Sequence, residues 1–336
     1  MKAYVLEGVN DLQYKETDLP EIKEGWALVQ VKASGICSSD IPRIFTKGTY
    51  HFPTIPGHEF SGVVTEVGSE TDRKWVGKRA GIFPLIPCRE CEQCGKKKYE
   101  LCSNYDYTGS RRDGGFAEYV AVPVWNLVEI PENVSFAEAA MFEPLAVALH
   151  ALKRSGLKEG DSLAVIGTGM IGLAIAQWAV SFGASQVTVI GRSEKKRGLV
   201  ENLSGVSYLA GTEDAKKYDR VIEAVGTPDA IAISLEITKP EGTVVFMGNP
   251  SGDILLSQAD YWKILRKQLT VIGTWNSSYD GENPSDWTEV TDALKSRNLK
   301  AENLISHRFP KENMMEGLLL MKEHKEPYCK VMIEWE

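Results

Sequence analysis

Four cysteines, Cys88, Cys91, Cys94 and Cys102, are separated by two, two and seven residues. Short Cys-x-x-Cys steps let several thiolates converge on one ion, whereas such close neighbours are awkward disulfide partners. Four thiolates fill a tetrahedral zinc and leave no open position, so a structural zinc lobe is expected over about residues 85–105. A second set is dispersed: Cys37 in Gly35-Ile36-Cys37-Ser38-Ser39-Asp40, His58-Glu59 after Gly57, and Glu143 before Pro144. An open zinc site and the plainer reading, a small buried cysteine and a satisfied histidine, both stand on these residues alone.

Gly167-Thr168-Gly169-Met170-Ile171-Gly172 fits G-x-G-x-x-G. An apolar run precedes it and a helical stretch follows. In that setting the first glycine turns the chain, the second admits a pyrophosphate and the third lets helix pack on strand, with helix amides facing the anion. Coenzyme choice is read from the end of the next strand, where a carboxylate selects NAD by taking the ribose 2′-hydroxyl. Here Gly191-Arg192-Ser193 stands there, with Lys195, Lys196 and Arg197 beside it. Glycine vacates the carboxylate's space and the cations suit a 2′-phosphate, so NADP is expected ahead of NAD. The alternative is a solvated helix start in which Glu194 handles the ribose.

These residues need a frame. From Met1 to about Val128 the text is strand-like, with runs such as Trp26 to Ala33 and Phe60 to Val67 bounded by turn residues. Between about Ala146 and Trp275, short apolar runs (Ser162 to Ile166, Gln186 to Ile190, Arg220 to Glu223, Gly242 to Met247, Leu269 to Ile272) alternate with helical stretches, which implies a parallel sheet. Helices are expected at Asp286 to Ser296 and Lys311 to His324, with a closing strand from Cys329 to Ile333. Ser162 to Gly191 carries no charged residue, yet glycines divide it into strand, helix and strand rather than a membrane span. At 336 residues two domains are expected, and 43% apolar with 25% charged residues excludes disordered or fibrous classes. A net charge of −8 argues against nucleic acid or anionic membrane as partner. The first ten residues lack the features of a secretory signal, which makes a cytoplasmic protein the expectation.

Gly57-His58-Glu59, the cysteine lobe, Asp113-Gly114-Gly115-Phe116-Ala117-Glu118-Tyr119, Glu143-Pro144 and the late glycine loop together resemble the zinc-dependent medium-chain dehydrogenases. The stretches Pro42-Arg43-Ile44-Phe45, Gly109-Ser110-Arg111-Arg112 and Ile264-Leu265-Arg266-Lys267 resemble that family's polyol branch, sorbitol dehydrogenases and polyol-phosphate dehydrogenases. The resemblance implies an α/β chain: a GroES-like β-barrel catalytic domain (1–147), a Rossmann doubly wound coenzyme domain (148–275) and a return to the catalytic domain (276–336). It implies a homodimer or homotetramer. It also implies two zinc ions per chain, the catalytic one held by Cys37, His58 and a carboxylate, either Glu59 or Glu143. Ser39 matches the position that starts a proton relay. Where polyol-phosphate relatives carry Asp, this chain has Gly191, so their NAD preference does not carry over.

The expected reaction passes a hydride between NAD(P) and a secondary hydroxyl of a polyol or polyol phosphate, with Arg43, Arg111 and Arg112 as candidate grips on a phosphate. Arginines bridging to acids such as Asp113 are the plainer account. An unphosphorylated polyol or secondary-alcohol dehydrogenase, an L-threonine dehydrogenase and a non-catalytic dinucleotide-binding protein are the alternatives.

Overall fold

A computed structural model describes residues 1–213, 215–281 and 284–335. Two large sheets dominate. The first joins, in spatial order, Ile305–Pro310, Lys330–Glu334, Trp26–Ile36, Glu59–Val67, Arg79–Ile82 and Leu127–Glu129, with Tyr119–Pro123 also paired to Trp26–Ile36. Its pairs are antiparallel except the first, so the chain's last strand lies beside one of its earliest, Val331 opposite Ile36.

The second sheet is wholly parallel, in the order Val206–Ala210, Gln186–Gly191, Ser162–Ile166, Tyr218–Glu223, Thr238–Phe246 and Thr270–Gly273. Numbered along the chain this is 3-2-1-4-5-6, the doubly wound dinucleotide order. All five residues of Ser162–Ile166 are buried, as a strand covered on both faces requires. The uncharged stretch is therefore strand, helix (Met170–Ser181) and strand, and among the described residues no helix is long and apolar enough to cross a membrane.

The helix Phe142–Arg154 runs between the sheets, across the expected boundary at residue 147. Phe142, Leu145, Ala146, Leu149 and Leu152 form its buried stripe at helical spacing. Pro144 sits in its first turn, where a missing N–H costs nothing, and Lys153 and Arg154 in its last turn complement the helix dipole. Aromatic packing ties the regions together: Phe83 lies 4.7 Å from Tyr279 and 5.3 Å from Trp287 between ring centroids. The expected helices appear at Asp286–Lys295 and Met314–Glu323 and the closing strand at Lys330–Glu334; strands Val206–Ala210 and Ile305–Pro310 were not expected. Both carry half-exposed or mixed patterns without a strong apolar run.

Candidate active site

The cysteine lobe gathers as its spacing suggests. Sγ of Cys88 lies 3.9 Å from Cys94 and 3.4 Å from Cys102, and Cys91 lies 3.9 Å from Cys102. Thiolates about 2.3 Å from one tetrahedral zinc stand ~3.8 Å apart, so four sulfurs at these separations fit one ion. All four are free thiols. Burial pushes the Cys94 thiol up to about 12, while backbone N–H groups of Cys94 and Ser103 draw Cys91 down to about 5.

The dispersed set converges where three strands end. Cys37 follows Trp26–Ile36, Glu59 opens Glu59–Val67 opposite Gly35, and Lys330 opens the last strand. Ligand atoms of Cys37, His58 and Glu59 lie within 4.8 Å of one another. Glu143 is not in that group; its Oε1 accepts from the Tyr107 hydroxyl at 3.3 Å. Burial drives the Cys37 thiol up to about 12 and the Glu143 carboxyl up to about 7, with Glu59's charge adding to both. His58 Nδ1 is buried without a hydrogen bond, 3.7 Å from Asp40 Oδ1. A soft thiolate, an imidazole and a carboxylate crowded out of water favour a cation between them, and the donor set is that of zinc.

Supporting contacts fix this set. Buried Asp40 accepts from Cys37 N at 3.0 Å and from Arg43 Nη1 at 2.6 Å, which makes Arg43 a brace for the cysteine turn. Lys330 donates to Glu59 and, at 3.2 Å, to the Ile36 carbonyl, all in a buried setting. A Cβ on Gly35 would overlap Glu59 Oε2 and come within 3.2 Å of Lys330 Cδ, so only glycine leaves room for this ion pair. Gly57, at φ +96°, presses against the Gly109 and Gly114 backbone, and its carbonyl accepts from Gly115 N at 2.8 Å. The Gly57-His58-Glu59 and Asp113-Gly114-Gly115 motifs are thus two sides of one close contact. Ser39, exposed, donates to Cys37 Sγ at 3.3 Å.

At the coenzyme loop, Gly167 takes φ +122° directly after the first strand of the parallel sheet. A Cβ on Gly172 would overlap the Gly167 carbonyl, whereas nothing lies within 4 Å of one on Gly169. Turn, packing and approach are thus divided among the three glycines as the dinucleotide fold needs. Met170 and Ile171 open the helix with no side-chain cap, which leaves its first amides to an anion. Arg192 has no ion-pair or hydrogen-bond partner among the described residues and Ser193 is exposed beside it. Arg197 is engaged: its Nη2 donates to Glu194 Oε1 at 3.0 Å, which occupies the alternative carboxylate for the ribose.

Residues 23–132 match the alcohol dehydrogenase GroES-like domain and residues 171–296 the zinc-binding dehydrogenase domain. Galactitol 1-phosphate 5-dehydrogenase of Escherichia coli K12 is 35% identical over 323 residues, covering 92% of each chain. The chain belongs to the zinc-dependent medium-chain dehydrogenases. The solved galactitol-1-phosphate dehydrogenase from Escherichia coli superposes on the dehydrogenase with a TM-score of 0.92, at 34% identity and full coverage of both chains. D-arabitol-phosphate dehydrogenase of Enterococcus avium is 30% identical over 345 residues, covering 97% of this chain and 95% of its own. A zinc-binding dehydrogenase from Sinorhizobium meliloti 1021, solved bound to NADP, gives a TM-score of 0.89 at 30% identity, covering 99% of each.

The dehydrogenase's three candidate phosphate arginines are differently placed. Arg43 is held by Asp40 and Arg112 by Asp106. Arg111 lies between the Tyr50 and Tyr105 rings at 4.5 and 4.3 Å, donates to the Tyr105 carbonyl at 2.7 Å and keeps a buried Nε without a partner. Arg111 and Arg112 line a cavity of about 480 Å³ together with Asp18, Glu21, Asp106 and Asp113, a mixed rather than a cationic lining. Lys330, Asp40 and Tyr107 were missed by sequence reasoning. Gly35 inside a strand was the one signal pointing to Lys330, since an interior strand glycine marks a close approach.

Proposed function

We propose that this enzyme interconverts a secondary alcohol and a ketone on a polyol phosphate, giving a ketose phosphate, with NADP preferred over NAD. The observation that carries the reading is the open Cys37–His58–Glu59 set beside exposed Ser39 in a chain that aligns end to end with polyol-phosphate dehydrogenases. Those three residues would hold a zinc ion, which would supply Lewis-acid polarisation of the substrate oxygen, and a nicotinamide coenzyme would supply the hydride chemistry. Cys37, His58 and Glu59 orient the reacting hydroxyl, Glu143 stands by as an alternative carboxylate, and Ser39 Oγ takes the hydroxyl's proton outward to solvent. Asp40 braces the cysteine turn through Cys37 N and Arg43, and buried Phe83, Phe142 and Trp287 underlie the region between the sheets.

Arg111 is the best of the three phosphate candidates because no carboxylate among the described residues pairs with it. Residues 1–147 and 276–336 would form the catalytic domain and 148–275 the coenzyme domain. A homodimer is favoured by the edge strand Thr270–Gly273 and by the helix Gln258–Arg266 that precedes it, which buries no residue and exposes Tyr261, Trp262 and Leu265. Light scattering would return one chain mass if this is wrong.

Initial rates with polyols and their phosphates, each with NAD and NADP, test the function. Better kcat/KM on a polyol phosphate is expected, with Arg111→Met raising KM for it roughly 10-fold or more through loss of a charge-assisted contact while sparing the free polyol. Equal kcat/KM for phosphate and free polyol in the wild type would leave a general polyol dehydrogenase.

A further inference from the structure

The strand that ends at Gly191 meets its neighbour in a way that bears on coenzyme choice. Val206–Ala210 runs parallel to Gln186–Gly191 with Val189 opposite Tyr208 and Gly191 opposite Ala210, so residues 191 and 208 lie on one face of the sheet. Tyr208 is 7% exposed. A Cβ built on Gly191 would overlap the Tyr208 hydroxyl, and would stand 3.0 Å from Tyr208 Cζ and 2.9 Å from Thr168 Cγ2. Gly191 is not among the glycines with positive φ. Glycine is needed there for space, not for backbone conformation.

The same phenol shapes the turn that follows. Its hydroxyl donates to the Ser193 carbonyl at 2.5 Å, and the Arg197 guanidinium lies over its ring at 5.1 Å from the centroid. Glu194, the nearest carboxylate in sequence, is held by Arg197. Around Gly191, then, the volume that a residue-191 carboxylate would need is filled by a phenol, and the turn bearing unpaired Arg192 is tethered to it.

We propose that Tyr208 is the coenzyme-specificity residue of this enzyme: it bars a ribose-binding carboxylate from position 191 and anchors the Arg192-Ser193 turn that receives a 2′-phosphate. The inference deepens the NADP reading, and its second half rests on that reading. Its first half does not, because steric exclusion at residue 191 operates whichever coenzyme the wild type prefers. A phenol that fills the site turns coenzyme choice into a two-residue property, so the single exchange of glycine for aspartate is blocked by its neighbour.

Dissociation constants for NAD and NADP, read from quenching of tryptophan fluorescence, test this on the wild type and on Tyr208→Phe, Gly191→Asp and Gly191→Asp/Tyr208→Ala. Tyr208→Phe keeps the ring and removes the tether; it should weaken NADP about 5-fold, the loss of one hydrogen bond, and NAD less. Gly191→Asp alone should gain nothing for NAD, whereas the double variant should bind NAD at least ~10-fold more tightly than the single one. Equal NAD affinity in the single and double variants would overturn the steric half. An unchanged ratio of the two constants in Tyr208→Phe, which has no reason to misfold, would overturn the tether. A wild type that prefers NAD would sink the NADP reading and the phosphate role with it, while the comparison of single and double variants would still decide the exclusion.

Discussion

The two clusters that could hold a metal differ in how the chain makes them. Cys88, Cys91, Cys94 and Cys102 come from one short stretch with two buried and two half-buried members, around the four-residue helix Glu92–Gly95. Cys37, His58 and Glu59 come from two strand ends, with Glu143 supplied by a helix and Lys330 by the last strand. A local cluster needs only its loop and the ion, which repays the loop's ordering. A dispersed cluster needs the whole fold first, and the fold can therefore hold a position open for substrate. On the proposed assignment, an ion in the local cluster would serve stability and one in the dispersed cluster turnover.

The largest effect should come from setting one cluster against the other. Cys37→Ala should lower kcat/KM by roughly 10³-fold or more, the several kcal/mol a Lewis acid supplies, yet leave the thermal midpoint near that of the wild type. Cys94→Ser should do the reverse, losing one zinc per chain and several degrees of midpoint while retaining part of the activity. Metal analysis, calorimetry and rates on both variants check this. Appreciable turnover in Cys37→Ala would remove the catalytic assignment, and an unchanged midpoint in Cys94→Ser would remove the structural one.

A second effect, on stability alone, is expected at Lys330. Burial alone would lower the pKa of this ammonium, but Glu59 and Cys37 beside it raise it, so it stays charged and its removal strands a buried carboxylate. Lys330→Met should cost about 3 to 5 kcal/mol in the metal-free protein, the usual penalty for breaking a buried pair. With zinc present the loss should shrink, because the ion compensates Glu59 in the lysine's place. Urea unfolding of both forms reads the difference. Equal losses with and without zinc would mean that Glu59 belongs to the lysine and not to the metal.

How much of this was legible follows the same division. The cysteine lobe and the glycine loop are short-range patterns, and both were readable as chemistry because the atoms that cooperate are neighbours in the chain. The five apolar runs expected in the parallel sheet are all strands; four are largely buried, as strands covered on both faces should be, whereas Thr270–Gly273 is mostly exposed at the sheet's edge. Lys330 left only an indirect mark, the close approach that an interior strand glycine at Gly35 signals; a lysine at the start of an apolar strand otherwise looks like a solvated end, and only the pairing of Val331 with Ile36 puts it against Glu59. Tyr208 escaped for a similar reason, because Val206–Ala210 carries a mixed burial pattern and no run announces it. The arginines were visible as charges, but the carboxylates holding Arg43 and Arg112 are partners that only the fold assigns.

The smallest effect concerns the tertiary ties on which a dispersed site depends. Asp286, at the start of the helix Asp286–Lys295, is buried and reaches back to the helix that carries Glu143: it binds His150 Nδ1 at 2.8 Å and Lys153 Nζ at 2.9 Å, and accepts from Ser278 N at 2.8 Å. Burial would raise this carboxyl, but those hydrogen bonds more than reverse it and hold it at about 2. A carboxyl depressed on folding contributes stability that is fully present above its ordinary value near 4 and fades as pH falls from there towards 2. The contribution is on the order of 2 kcal/mol. Asp286→Asn should therefore lower the unfolding free energy read from urea curves at pH 7 by that amount, with a deficit that narrows as the wild type itself is acidified below pH ~4. The cysteine-bound zinc should stay in place at pH 7, since its four ligands are fixed within their own loop. The open site, whose Glu143 rides on the tied helix, should exchange its metal faster. Unfolding curves and zinc exchange against a chelator measure both, and equal acceleration at the two sites would show that the lobe leans on the same tertiary contacts as the active site.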